Sequence, residues 1–287
     1  MAPLEGRTAR TDEAFRWLVI GAAAVVLVIL GLIAVVMAGR AIPVLRHMGL
    51  AFFTSRRWSP SSNTYGALPF VWGSLFTSAI AIAVSVPISL GVAIFITEVA
   101  PRWMKGALVH LVDLLAVVPS VVFGLWGILM LSPVMGRSFL TAGLILGMMI
   151  TPIITMLSRE VIETTPSDLK EAAYALGATR LEMIWGAVWP HCKAGLVGAV
   201  MLGLGRAMGE TIAAALTIGS ALGQITLNPL APGNSMPAVI ANQWGEAFAL
   251  QKSALIALAV LLFAITIVVN MLATAIVQRS AVESGGQ

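Results

Sequence analysis

Long apolar runs separated by short polar segments dominate this chain, at roughly 18–38, 70–97, 107–131, 138–157, 194–220 and 253–277. A helix needs about 20 apolar residues to cross the hydrocarbon of a bilayer. The pattern therefore predicts six transmembrane helices and an all-α membrane protein. Strands are not expected, because the runs lack two-residue alternation and exceed the length of a barrel strand. The first run is too long for a removed signal peptide, and no small-residue cleavage site follows it. Residues 1–16 and 280–287 read as polar tails, the latter flexible, and 17–279 as one membrane domain.

Polar and helix-breaking residues inside the runs refine the picture. The second run carries Ser74, Thr77, Ser78 and Ser85, with Pro87 deeper in. Their spacing puts the hydroxyls close to one helix face, either lining a polar path or permitting tight helix contact. The third run contains Pro119-Ser120 and then Gly124-Leu125-Trp126-Gly127. A proline there predicts a kink, whose freed carbonyls are tolerated only against protein or a wet cavity. The fifth run has a ridge of small residues, Gly195, Ala199, Gly203 and Ala207, and a second holding Gly205, Gly209 and Ala213. Gly143 and Gly147 offer a similar face in the fourth, and such rows let helices approach closely.

The segment 158–193 is the one sizeable polar region. Thr165-Pro166-Ser167-Asp168 has the form of a helix start, with Thr165 as N-cap and Pro166 in the first helical position. The helix is expected to run to about Leu176, with Gly177 as its stop. A second helical stretch, about 180–189, ends near Pro190, with Trp185 and Trp189 on one side of it. The pair of short helices reads as a docking knuckle for a soluble partner or as an interfacial re-entry into the fifth run. Of the other connections, 39–69 is expected to be a loop anchored by Trp58, Pro60, Tyr65 and Pro69, and 221–252 a Pro/Gly/Asn-rich segment turning helical from Pro237 to Leu250.

Composition and charge narrow the class. Hydrophobic residues make up 59% of the chain and charged residues 10%. Lys and Arg are more frequent in the segments that are cytoplasmic if both ends are inside, which is the expected orientation. Arg40, Arg46, Arg56 and Arg57 in the first outer loop weaken that bias. The single cysteine, Cys192, excludes an internal disulfide, and His47, His110 and His191 lack the spacing of a metal site. There is no phosphate-cradling G-x-x-x-x-G-K-[ST] loop, no nucleophile motif and no paired carboxylates. No enzyme site, cofactor or metal is expected, and no nucleic-acid partner.

The strongest chemical signal is Gly205-Arg206-Ala207-Met208-Gly209-Glu210-Thr211. Counting from Ala194 at 1.5 Å per residue puts Arg206 roughly 18 Å into the membrane. Arginine stays charged at that depth, and its planar fork of donors suits a tetrahedral oxyanion. Glu210 is expected one helical turn away, within reach of Arg206 on the same face. The pair is either part of a transport pathway or a buried structural ion pair fixing helix register. Arg206, Glu210, Thr211, Ser120, Ser74, Thr77 and Ser78 are the candidate pathway residues.

Two stretches carry a family resemblance. Glu171-Ala172-Ala173-Tyr174-Ala175-Leu176-Gly177, closed by Pro190, resembles the EAA loop of bacterial ABC importer permeases. Ala187 and Trp189 stand where that loop commonly has isoleucine and leucine. Gly205 to Thr211 is similar to the GRAxGET stretch of phosphate importer permeases. Leu114 to Gly127, Tyr65 to Pro69 with Gly73 to Ser78, and Ile212 to Ser220 look like the PstC-type subunit. The resemblance implies a type I ABC importer permease fold in the plasma membrane, with Glu171, Ala172, Ala173, Gly177 and Pro190 as the ATPase-coupling residues. It implies a sister PstA-type permease, two ATPase subunits and an external phosphate-binding protein as partners, with inorganic phosphate as substrate. Rival readings are a permease for sulfate or molybdate, an ATP-independent anion channel or secondary transporter, and a membrane-embedded enzyme. Many secondary transporters carry paired broken-helix repeats, and the sequence offers no sign of them.

Overall fold

The computed structural model describes residues 5–284. Helix α1 (Glu5–Met48) is followed by α2 (Ala51–Thr54) and a two-stranded antiparallel hairpin, β1 (Trp58–Ser59) and β2 (Thr64–Tyr65). Then come α3 (Leu68–Ile94), α4 (Arg102–Val117), α5 (Ser120–Trp126), α6 (Ser132–Met135) and α7 (Phe139–Glu163). The last six are α8 (Ser167–Ala175), α9 (Arg180–Met183), α10 (Trp189–Gly209), α11 (Ile212–Thr217), α12 (Met236–Gln243) and α13 (Ala249–Ser284). Three π-helical turns, Phe95–Val99, Gly127–Leu131 and Ile184–Val188, join or extend these helices. Among the described residues, five helical stretches are long and apolar enough to cross a membrane, and α4 with α5–α6 makes a sixth if the bent pair is one span.

Helix α7 is the hub. In its most apolar stretch 61% of the residues are buried, against 0% for that of α1, so α7 is central and α1 peripheral. Ser138 starts α7 by accepting the Thr141 N–H at 3.2 Å, which satisfies one orphan donor of the first turn. The small residues do the packing expected of them. A Cβ on Gly143 would lie 2.6 Å from Ile80 Cγ2, so α3 and α7 meet there backbone to side chain. Gly203 stands in the same relation to Ile154, and Gly195 to Val161, which seats α10 on α7.

One end of the bundle carries the hairpin. Trp58 packs edge-on against Tyr65 and Phe70, both ring centroids at 5.0 Å, and its Nε1 donates to Gln243 Oε1 at 2.9 Å. These rings join Phe52, Val44, Met236 and Leu255 in a buried cluster that ties α1, α12 and α13 together. The expected loop at 39–69 is thus a packed cap: α1 runs through its first third, and it contains the short strands that the apolar runs did not announce. The other end carries α8 and α9.

Several expectations about the helices are corrected. The polar tail at 1–16 is helical from Glu5, because α1 continues into it, and α13 likewise continues to Ser284. Residues 1–4 and 285–287 lie outside the described residues. The kink at Pro119 is a full break, with the flanking helices bent by 86°. The fifth run is not one helix from 194 to 220. It starts at Arg180 on the α8 side, and Pro190 does not end it. The π turn before Pro190 explains why: Trp189 donates to the Ile184 carbonyl five residues back, and proline, having no N–H, needs no partner in the displaced ladder. At the far end α10 stops at Gly209. Glu210 is extended (φ −69°, ψ 125°), and α11 begins afresh two residues on. The span from Pro237 to Leu250 is interrupted too, since α12 ends at Gln243.

Candidate functional site

Arg206 occupies the last turn of α10 and is exposed in the isolated chain. It lines an open cavity of about 960 Å³ between α7, α10 and α13. Gly195, Gly198 and Gly205 form part of the α10 wall, and Glu160, Thr164, His191 and Asn270 supply other polar groups. An added Cβ on Gly205 would meet only Asn270 Nδ2, at an ordinary contact distance of 4.0 Å. Gly205 and Gly209 also line a separate apolar cleft against α1 and α13, about 420 Å³.

The expected Arg206–Glu210 pair on one helix face is not formed. Among the described residues the ion pairs are Lys105–Glu163 and Lys170–Glu98, and neither involves Arg206. The cause is the break at Glu210, which removes the i, i+4 geometry of a continuous helix. The half-buried Glu210 instead turns forward, and its Oε1 accepts the Ala213 N–H at 3.4 Å. That is what a capping side chain does for an orphan donor in a first turn. Thr211 Oγ1 donates to the Gly209 carbonyl at 3.3 Å, so Glu210 and Thr211 both hold the break itself.

The structure brings the Pro119-Ser120 stretch beside this break. A Cβ on Gly124 would lie 3.1 Å from Ala213 Cα, and one on Gly127 would lie 2.8 Å from Thr217 Cγ2. These two contacts run in the same chain direction, so α5 and α11 lie side by side in parallel. Each starts at a break, α5 at Ser120 after Pro119 and α11 at Ile212 after Thr211. Two broken helices, one interrupted at Pro119 and one after Gly209, therefore pack against each other.

Ser74, Thr77 and Ser78 go elsewhere. All three are buried, and none lines the Arg206 cavity. Ser74 Oγ accepts the Met236 N–H at 2.9 Å, and Thr77 Oγ1 donates to the Gly73 carbonyl at 2.7 Å. Ser78 Oγ has no hydrogen-bond partner among the described residues. Their helix face is the α3 packing seam, since the Thr77 carbonyl lies 3.2 Å from a Cβ placed on Gly143. Of the two readings of these hydroxyls, close helix contact is the one the geometry carries.

At the α8 end the predicted short helix and its stop are present. Gly177 takes φ +83°. Its N–H bonds the Tyr174 carbonyl at 2.9 Å and the Ala178 N–H bonds the Ala173 carbonyl at 3.1 Å, the paired closure of a Schellman motif. The N-terminus differs from expectation. Pro166 is the N-cap residue and no side chain caps the helix. Thr165 is instead buried, with its hydroxyl 3.0 Å from Cys192 Sγ. No residue of α8 is buried; Glu171 and Ala172 are exposed and Ala173 is half-buried. Ala172, Ala173, Leu176, Ala187 and Pro190 line a groove of about 570 Å³ along α8 and α9. Trp185 and Trp189 lie beside each other, centroids 5.1 Å apart.

Sequence reasoning missed several groups here. Thr179 and Glu182 form a capping box on α9, legible in hindsight as Thr-x-x-Glu. Lys170 reaches Glu98 at 2.6 Å across 72 positions of sequence, for which no local signal exists.

Comparison with known proteins bears on the whole chain. Residues 85–282 match the family described as binding-protein-dependent transport system inner membrane component. The phosphate transport system permease protein PstC of Xylella fastidiosa is 38% identical, over 97% of this chain and 94% of its own length. The protein of that name from Mesorhizobium japonicum is 36% identical over the same shares. PstC 2 of Mycobacterium tuberculosis is 35% identical over 93% of this chain and 92% of its own length. Among solved structures, an inward-facing conformation of the MetNI methionine ABC transporter superposes with a TM-score of 0.62 at 18% identity, covering 74% of this chain and 94% of that one. That likeness establishes a fold shared with an ABC importer permease. A broken bundle of five to six apolar spans, an exposed helix-and-groove at one end and matches of this extent have one common explanation: the chain belongs to the family of binding-protein-dependent transport system inner membrane components.

Proposed function

We propose that this chain is the PstC-type permease subunit of an ATP-driven inorganic phosphate importer and forms half of its pathway. The observation that carries the reading is Arg206: a permanent charge with no ion pair among the described residues, on the wall of a large cavity, at the end of a broken helix. A cation inside a membrane span is costly unless used, and its free donors suit phosphate oxygens. The names of the relatives supply the substrate. Because Arg206 is exposed and its cavity open, a second subunit is needed to close the other side, which fits a sister PstA-type permease.

The exposed α8 with its groove is the dock for one of two ATPase subunits, through Glu171, Ala172, Ala173, Gly177 and Pro190. An external phosphate-binding protein delivers substrate at the hairpin end. The α8 end faces the cytoplasm of a bacterial cell, and the orientation expected for the chain has both termini inside as well. ATP is hydrolysed by the partners, and this chain converts their closure into alternating exposure of Arg206. Ser120, Glu210 and Thr211 shape the break beside it.

The test is reconstitution of the full complex in vesicles, with ATP inside the compartment that the ATPases face and labelled phosphate on the other side. ATP-dependent phosphate uptake that excess sulfate or molybdate does not suppress is expected. Uptake of sulfate or molybdate in place of phosphate would move the reading to those anions.

A further inference from the structure

The region between α8 and α3 holds charged groups that the proposed pathway does not use. Lys170 Nζ lies 2.6 Å from Glu98 Oε1, and the two side chains are 23% and 8% exposed. Glu98 sits on the π turn Phe95–Val99 at the end of α3. The carbonyl of Thr97 on the same turn accepts from Lys105 Nζ at 3.4 Å, and Lys105 lies 3.8 Å from Glu163, the last residue of α7. A carboxylate this buried depends on its partner, because an unpaired charge there is far costlier than the pair. Helix α8 has no buried residue of its own, and its apolar hold on the bundle is the half-buried Ala173. The ion pair is therefore its directional link to α3.

From that grip α3 runs the length of the bundle. Along its course it is locked to α7, with the Ala81 carbonyl 3.2 Å from where a Cβ on Gly147 would stand. At the hairpin end Ser74 accepts the Met236 N–H, and Gly73 lies directly against the Asn234 carbonyl. The α3 rod thus joins the α8 surface to the 234–236 segment at the opposite face. A π turn at its gripped end is a place where a helix changes register at low cost, and such turns are frequent at functional sites.

We infer that Lys170 and Glu98 are positioning residues that transmit movement of α8 to α3, and through α3 to the far face. The inference rests on the ATP-driven reading above and adds the route by which the drive crosses the membrane. Displacing α8 pulls Glu98 through a short, partly buried contact, so α3 follows as a rigid body instead of letting α8 slide. Without the pair, α8 moves alone and the bundle stays behind.

The experiment uses the complete complex in vesicles and records three quantities: complex yield, ATP hydrolysis and phosphate uptake. Glu98→Gln keeps the shape and removes the charge. Expected are near-normal yield, persisting hydrolysis and uptake lowered on the order of tenfold, which corresponds to about 1.4 kcal/mol of lost coupling. Lys170→Arg keeps the charge and should restore most of what Lys170→Met loses. Unchanged uptake per hydrolysed ATP in Glu98→Gln would overturn the inference while leaving the transport reading intact. So would parallel loss of yield, hydrolysis and uptake with equal effects of Lys170→Arg and Lys170→Met, the mark of a fold-stabilising pair. If the unaltered complex shows no ATP-dependent uptake, the transport reading fails and the inference with it.

Discussion

At the scale of single residues, the motif around Arg206 separates into two jobs. Arg206 has no ion pair among the described residues and lies on the wall of a cavity, whereas Glu210 spends its carboxylate on the first turn of α11. Hydrogen bonds to a charged group are worth about 1.5–3 kcal/mol each. Arg206→Gln should therefore lower phosphate uptake by roughly 10- to 100-fold or more, at about 1.4 kcal/mol per factor of ten, while complex yield holds. Near-normal uptake in that variant would remove Arg206 from the pathway. For Glu210 two variants are informative. Glu210→Gln retains an oxygen able to cap Ala213 and loses the charge, and Glu210→Ala loses both. If the charge tempers the attraction of Arg206 for a dianion, the glutamine variant binds phosphate at least as tightly and turns over more slowly. If the cap is the whole of its role, glutamine is neutral and alanine costs about 1 kcal/mol in stability. Binding and turnover measured beside thermal stability decide between them.

At the scale of elements, the short α8 and its turn are the most sharply specified part of the chain. Gly177 has open space around it, so the constraint is its backbone and not crowding. A β-branched side chain at φ +83° is strained by about 1–3 kcal/mol, whereas asparagine tolerates this region. Gly177→Val is expected to release the ATPase or to uncouple hydrolysis from uptake, and Gly177→Asn to be mild. Co-purification of ATPase with the valine variant, together with normal transport, would show that α8 is not the dock. This element was legible in advance because its signals are local: a proline near its start and a glycine at its stop. Of the two breaks, the proline announced the one at Pro119 as a kink, but nothing announced the one after Gly209. The apolar composition continues across Gly209-Glu210-Thr211, and what ends α10 there is tertiary, a new helix packed on Gly124 and Gly127. The same holds for Ser74 and Thr77. Helical spacing put them on one face correctly, but only the neighbours they meet, the Met236 N–H at Ser74 and Gly143 of α7 at the Thr77 carbonyl, identify that face as a seam.

At the scale of the whole molecule, the number of spans followed from apolar length alone, and the arrangement followed from small residues meeting large ones. Gly143, Gly195 and Gly203 lie where α7 meets its neighbours, which is why their spacing was readable. What sequence periodicity could not supply is which faces stay uncovered. The structure answers this in part, because Arg206 lies on such a face and its cavity is open on one side. A lone charge facing lipid would be expensive, so the isolated chain is an incomplete object in a membrane. The expected consequence is that purified chain alone, inserted in vesicles, conducts no phosphate, and that flux arises only with the sister permease and the ATPases, and only with ATP. A closed pathway needs walls on every side to replace the hydration shell of the anion, and the Arg206 cavity is open. Measuring phosphate flux for the chain alone, for the permease pair, and for the full complex with and without ATP distinguishes the readings. Saturable flux through the chain alone, independent of ATP, would favour an anion channel. It would also require the chain to pair with itself across the Arg206 face. Flux confined to the full complex with ATP would place the missing wall in the sister subunit and the drive in the ATPases.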